Sequence, residues 1–221
     1  MTHTSAEMHA YYAARAPYYD AVYLKPERQE DIALLRNHLP ERLQGRDVLE
    51  VACGTGYWTQ HIAPCARRMV ATDGTAEPLE FARLRPGTEA VTFGLADAYE
   101  LPEELGQFNA AFAGLWFSHV PIRSRQVFLR SLHRRLSPGA RVLFIDNGTV
   151  QSQDFPIEET DAEGNTYQHR PLRDGSAHRV LKNFPTEAEL RALIRPVASA
   201  CTFEQLDNFW LLEYEFNGVI A

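Results

Sequence analysis

The sequence predicts a doubly wound α/β fold, in which helices cover both faces of a mainly parallel sheet. Three observations predict it. The apolar run Val48-Leu49-Glu50-Val51-Ala52-Cys53 passes directly into the turn Gly54-Thr55-Gly56. From there to Asn147, short strand-like runs alternate with helical patterns, as successive βαβ units do. The length, 221 residues, suits one such domain with a small cap.

Each element can be justified in order. Residues 5–24 are rich in Ala and Tyr and read as a helix broken near Pro17. Ile32, Leu34, Leu35 and Leu39 have helical spacing within Glu27 to Leu39. The run ending at Val51 is the first strand, and Arg68 to Thr72, closed by Asp73, is the second. A helical pattern from Ala76 to Leu84 leads to a third strand, Ala90 to Leu95. Phe108 to Phe117 reads as a fourth strand, and Leu136 to Ile145 as a turn followed by a fifth. Between Gly148 and Phe184 periodicity disappears among Pro156, Gly164, Pro171 and Gly175. A segment of that kind is expected to be functional or disordered, and its departure from the fifth strand suggests a lid. Thr186 and Glu189 then have capping-box spacing at the start of a helix. Ala198 to Leu206 and Phe209 to Phe216 read as strands joined through Asp207-Asn208.

The glycine turn carries the chemistry. Glycine is required where backbone adopts positive φ or approaches a ligand closely. An acid about 20 residues beyond such a turn is the expected partner of two ribose hydroxyls, and Asp73 has that spacing. A dinucleotide site would place a third glycine where Thr59 stands. Tyr57 and Trp58 are bulky for a diphosphate cradle, and Glu50 would repel a pyrophosphate. A carboxylate at that point suits a cofactor with a cationic head.

The segment Glu50-Val51-Ala52-Cys53-Gly54-Thr55-Gly56 resembles motif I of the class I S-adenosylmethionine-dependent methyltransferases of small-molecule type. Further landmarks follow in the family's order: Asp97-Ala98 after the third strand, Leu115-Trp116 at the end of the fourth, and Leu136-Ser137-Pro138-Gly139 before the fifth. The resemblance implies seven strands in the order 3-2-1-4-5-7-6, with strand 7 antiparallel. It implies a helical cap at residues 1–40 and a cofactor-binding domain at residues 41–221, with a lid at residues 148–184. The cofactor implied is S-adenosylmethionine, with S-adenosylhomocysteine as product.

The same resemblance assigns roles. Glu50, Gly54 and Gly56 would shape the turn beside the methionyl portion, and Ala52, Tyr57 and Trp58 belong to the same turn. Asp73 would bridge the ribose hydroxyls, with Gly74 and Thr75 along the adenosine. Asp97 and Ala98 would hold the adenine edge, and Leu115 and Trp116 would flank the methionyl group. Tyr11, Arg15 and Tyr19 lie in a segment similar to the helix that closes over the cofactor, where a phenol or guanidinium could bond its carboxylate. His119, following the fourth strand, is the candidate general base or acceptor-orienting residue.

Methyl transfer to an oxygen or nitrogen of a small molecule is therefore expected. Net charge is −7 with a pI near 5.6, a balance that argues against a dedicated nucleic-acid binder. Leu115-Trp116-Phe117-Ser118 also replaces the Asn/Asp-Pro-Pro-aromatic run of nucleic-acid amino-methyltransferases. A protein or RNA methyltransferase is thus disfavoured, and Thr59 counts against a nicotinamide-dependent reductase. A non-catalytic module that binds the cofactor and regulates a partner is the other alternative. No apolar stretch approaches 18 residues, so no membrane partner is expected, and the polar N-terminus suggests a cytoplasmic protein. Cys53, Cys65 and Cys201 lack metal-ligand spacing, so no metal is expected. Either a monomer or a homodimer is compatible with the sequence.

Overall fold

A computed structural model describes residues 6–220. Residues 1–5, where the expected cap begins, and Ala221 lie outside the described residues. Helix α1 (Ala6–Arg15) leads into 3-10 turns over Ala16–Tyr23 and then α2 (Gln29–Leu43). The break comes where Pro17 stands at the start of the 3-10 segment. The alternating part follows: β1 (Asp47–Val51), α3 (Thr59–Ile62), β2 (Arg68–Asp73), α4 (Ala76–Ala82), β3 (Thr92–Leu95), β4 (Phe108–Gly114), α5 (Arg125–His133) and β5 (Leu136–Asn147). The chain closes with β6 (Glu159–Thr160), β7 (Thr166–Pro171), β8 (Ala177–Leu181), α6 (Glu187–Ile194), β9 (Ala198–Gln205) and β10 (Phe209–Phe216).

The main sheet has the order β3-β2-β1-β4-β5-β10-β9. Strands β1 to β5 are parallel, whereas β10 runs antiparallel to both β5 and β9. Counting only strands of this sheet, the order is the expected 3-2-1-4-5-7-6. Leu49 pairs with Val70 on one side and Ala111 on the other, which puts β1 in the middle. Central strands read as nearly continuous apolar runs because both faces are covered. Along β5, Val142 and Phe144 join the core under α5 and α6, while Leu143 and Ile145 join the core under α2. The capping box of α6 forms as expected: Thr186 Oγ1 accepts from Glu189 N at 3.3 Å, and Glu189 Oε2 accepts from Thr186 N at 2.7 Å.

The segment from Gly148 to Phe184 corrects the expectation of a stretch without regular structure. It holds an antiparallel sheet, β6-β7-β8, in which Gln168 pairs with Val180 and Arg170 with His178. Alternation does exist along β7, but the inward residues, Gln168 and Arg170, are polar. A hydrophobic period of two is therefore absent although the pleat is regular. Helix α1 packs on this small sheet through Tyr11 against Leu172 and Val180, and Glu7 Oε1 accepts from Arg179 N at 2.8 Å. The small sheet is tied to the main one by Asn183 N donating to Ser118 O at 2.8 Å.

Candidate cofactor and acceptor site

Strand order reverses between β1 and β4, and the carboxyl ends of these strands diverge to opposite helical layers. Ligands bind at such a switch point. Both chain exits there are left-handed at non-glycine residues, Ala52 with φ 55° and Leu115 with φ 56°. Such conformations cost about 1–3 kcal/mol and persist only where the surroundings impose them. Both residues line the same cavity.

That cavity holds about 380 Å³, within the range of roughly 300–1,000 Å³ usual for small-ligand sites. Its floor is the turn after β1. Gly54 has φ 56° with open space where a Cβ would stand, and its N–H donates to Asp73 Oδ2 at 2.9 Å. Thr75 N donates to Asp73 Oδ1 at 2.9 Å, so β2 ends in a carboxylate fixed by backbone on both sides. Asp97 Oδ1 accepts from Tyr99 N at 2.9 Å and is held in the same way after β3. Ala98, Gly74, Leu115 and Trp116 complete this part of the wall. Trp116 lines the cavity, and its buried Nε1 has no protein partner.

A second cavity of about 260 Å³ adjoins the first. Tyr12, Tyr19, Leu115 and His119 belong to both walls. Nδ1 of His119 lies 2.6 Å from the carbonyl oxygen of Leu181, which can only accept, so Nδ1 carries the proton. Nε2 then accepts from the Tyr12 hydroxyl at 2.8 Å. Burial, reinforced by Lys182 and Arg170, holds the imidazole well below its ordinary pKa and keeps it neutral. Burial also pushes the Tyr12 and Tyr19 phenols up, so both remain protonated.

Beneath this second cavity lies a buried ion pair. Lys182 Nζ is 3.0 Å from Asp146 Oδ1 and donates to Ser118 Oγ at 2.6 Å. Ser118 N donates to Asp146 Oδ2 at 2.8 Å. Lys182 is drawn down to about 8 by burial, with Asp146 opposing that shift.

The predicted residues divide in two. Ala52, Gly54, Asp73, Gly74, Thr75, Asp97, Ala98, Leu115, Trp116, Tyr19 and His119 line the first cavity. Arg15 lines the second. Glu50, Gly56, Tyr57, Trp58 and Tyr11 stand behind the walls. Gly56 has φ 74°, and a Cβ there would fall 2.9 Å from Ala82, so the turn packs on α4 at this point. Tyr57 stacks on Tyr23 at 3.6 Å, and Trp58 is buried against Gly114. Glu50 accepts from Thr59 Oγ1 at 2.6 Å, and burial pushes its carboxyl up to about 8. The Tyr11 hydroxyl accepts from Arg15 Nη1 at 2.6 Å and braces the guanidinium.

Sequence reasoning missed Met8, His9, Tyr12, Ala16, Thr55 and Pro78 on the first wall. It missed Arg28, Gln151 and Lys182 on the second, where Asn147 at the end of the fifth strand and Arg170 in the long segment are also found. Tyr12 is one residue from Tyr11, and only the orientation of α1 distinguishes them. Lys182 could have been found, and Arg170 distinguished from the other arginines of its segment, only by placing the small sheet over β4 and β5.

A family model described as a methyltransferase domain matches residues 48–139. The chain is 31% identical over 157 residues to a ubiquinone biosynthesis O-methyltransferase of Xanthomonas oryzae pv. oryzae, covering 69% of this chain and 62% of the relative. It is 30% identical over 111 residues to a demethylmenaquinone methyltransferase of Lactococcus lactis subsp. lactis, covering 47% of this chain and 43% of the relative. The matched stretches thus span less than two thirds of these relatives' length. Among solved structures, DhpI in complex with SAH is 30% identical with a TM-score of 0.78, covering 96% of both chains. A DhpI-SAM-HEP complex gives 30% identity and a TM-score of 0.77, covering 94% of this chain and 95% of that one.

Proposed function

The chain belongs to the class I S-adenosylmethionine-dependent methyltransferases, and from that premise we propose that it methylates an oxygen or nitrogen of a small molecule held in the second cavity. The observation that carries this reading is the junction of the two cavities at Tyr12, Tyr19, Leu115 and His119. One chamber has the residues for an adenosyl cofactor, and the other has room for a compact acceptor beside it. S-adenosylmethionine, when bound, supplies a methyl group already activated on a sulfonium.

The chain's own residues would then hold and align. Asp73 accepts hydrogen bonds from two ribose hydroxyls while its backbone bonds keep it in place. Asp97 and the Ala98 N–H meet the adenine edge. Arg15, braced by Tyr11, points from α1 toward the junction. The faces of Tyr12 and Tyr19 suit a sulfonium, since a cation is attracted to an aromatic ring. His119 acts through Tyr12 as an acceptor-orienting residue. Alignment of this kind contributes roughly 7–11 kcal/mol to barrier lowering in well-oriented reactions. Helix α1, as part of the cap, and the β6-β7-β8 sheet, as the lid, form the roof that excludes water.

A dispersed acidic charge supports a small acceptor over a nucleic acid, and no helix among the described residues is long and apolar enough to cross a membrane. Calorimetry with S-adenosylmethionine and S-adenosylhomocysteine tests the reading directly. Micromolar binding of both is expected, and failure of both to bind would remove it.

A further inference from the structure

The second cavity is strongly cationic. Arg15, Lys25, Arg28, Arg170 and Lys182 line it, against one lining carboxylate, Asp154. Asp154 is consumed by two of them, Lys25 at 2.6 Å and Arg28 at 3.0 Å. Lys182 is matched by Asp146 behind the wall. Arg15 and Arg170 remain with no carboxylate partner among the described residues. Arg15 bonds the Tyr11 hydroxyl, and Arg170 gives Nε and Nη2 to Gln168 Oε1 at 3.1 and 2.6 Å. Arg170 is only 5% exposed. A buried guanidinium without a counter-charge is costly unless a ligand completes it.

The cavity also lacks a free proton acceptor. Both nitrogens of His119 are engaged, one as donor to Leu181 O and one as acceptor from Tyr12. The Tyr12 and Tyr19 phenols are protonated, and Asp146 and Asp154 are each tied to a cation. An acceptor that had to lose a proton would find no unengaged base beside it.

We infer that the acceptor is a small oxyanion, a carboxylate or a phosphoryl-type group, seated on Arg15 and Arg170 and methylated on its own anionic oxygen to give an ester. This rests on the methyltransferase reading above. A lone pair of the oxyanion forms the new oxygen–carbon bond, and the carbon–sulfur pair of the methyl donor returns to sulfur. Sulfonium and oxyanion charges cancel, and no proton moves. Neutralising one charge also weakens the hold of the two guanidiniums, which favours release of the ester.

Binding to the full chain separates this inference from the reading beneath it. S-adenosylhomocysteine is titrated first, and a chain that fails to bind it fails as a methyltransferase whatever its acceptor. Sodium acetate and inorganic phosphate are then titrated into the chain saturated with S-adenosylhomocysteine. At least one anion should bind, and its affinity should fall about tenfold or more in Arg170→Gln and in Arg15→Gln. Arg170→Lys, which keeps the charge and loses the fork, should fall between. Melting temperatures show that each variant is folded. No anion binding beside intact S-adenosylhomocysteine binding, or anion binding indifferent to both arginines, would overturn the inference. Labelled methyl transfer to carboxylic acids and to phosphonates or phosphate monoesters then distinguishes the sources. Mild alkali frees labelled methanol from a carboxylate ester and leaves a phosphorus ester intact. Turnover of an uncharged phenol or amine that is unchanged in Arg170→Gln would also overturn it.

Discussion

Tyr12 and His119 share one hydrogen bond, 2.8 Å long, that joins helix α1 to the end of β4. Its direction follows from the Leu181 carbonyl on the far side of the ring. Tyr12→Phe removes the donor and leaves Nε2 without a partner. A stability loss of about 1 kcal/mol is expected from denaturant unfolding, with turnover down about tenfold through misplacement of α1. The pH profile of kcat should stay flat through about 6.5, because the ring is neutral on both sides of that value. An acid limb there that disappears in His119→Gln would instead make the imidazole the proton acceptor.

Asp73 is a cofactor ligand in this reading and a backbone brace in the structure. Asp73→Asn keeps most of the shape and removes the charge. Affinity for S-adenosylmethionine should fall about tenfold or more, since charge-assisted hydrogen bonds contribute roughly 1.5–3 kcal/mol each. Calorimetry gives the affinity, and a melting curve separates it from collapse of the glycine turn. Unchanged affinity would dismiss Asp73 as a ribose partner.

Glu50 gives stability a pH dependence with a definite sign. Its carboxyl ionises near 4.5 when unperturbed and at about 8 in the fold, where burial raises it and the Thr59 bond opposes the shift. Between those values the folded chain holds a proton that the unfolded chain has released. Its contribution is therefore complete below about 4.5 and is lost as pH climbs through 8. Glu50→Gln cannot ionise. The stability of the variant relative to the parent should rise with pH by up to about 1.4 kcal/mol per unit in that window. Urea unfolding at several pH values measures the difference.

Lys182 and Asp146 are 1% and 0% exposed at their side chains. Lys182→Met strands a buried carboxylate and should cost about 3–5 kcal/mol. Lys182→Met combined with Asp146→Leu should recover part of that loss, because no charge is then left unpaired. A double-mutant cycle from chemical denaturation gives the coupling. Additive effects would mean the pair is screened by water.

The roof should respond as one unit. Helix α1 and β8 are joined by Glu7 to Arg179 and by Tyr11 to Val180. Hydrogen exchange should slow in both segments together when S-adenosylhomocysteine binds. Protection confined to β1 and β2 would deny these segments a closing role.

The glycine turn and Asp73 were legible because backbone conformation and spacing write themselves directly into residue type, whereas Asp97 was legible only through the family resemblance. The order of the main sheet followed from the family's pattern once those landmarks stood in sequence. Tyr57 and Trp58 misled for a physical reason: residues after the second glycine turn back beneath the floor, where Tyr57 stacks on Tyr23. Tyr12 was hidden because the wall-forming side of α1 depends on its docking against the small sheet. That sheet was itself illegible, since Gln168 and Arg170 stand where an apolar pattern would have announced strand β7.

The two chambers share Tyr12, Tyr19, Leu115 and His119, so in the proposed reading donor and acceptor rest against the same four side chains. Side chains fixed by the first arrival need not be immobilised again for the second. Linkage then demands reciprocity: whatever factor the methyl donor adds to the affinity for acceptor, the acceptor returns to the donor. The product pair must obey the same equality with its own factor. In the proposed reading, the difference between those two factors decides whether the emptied donor or the finished acceptor is held back at the end of each turnover.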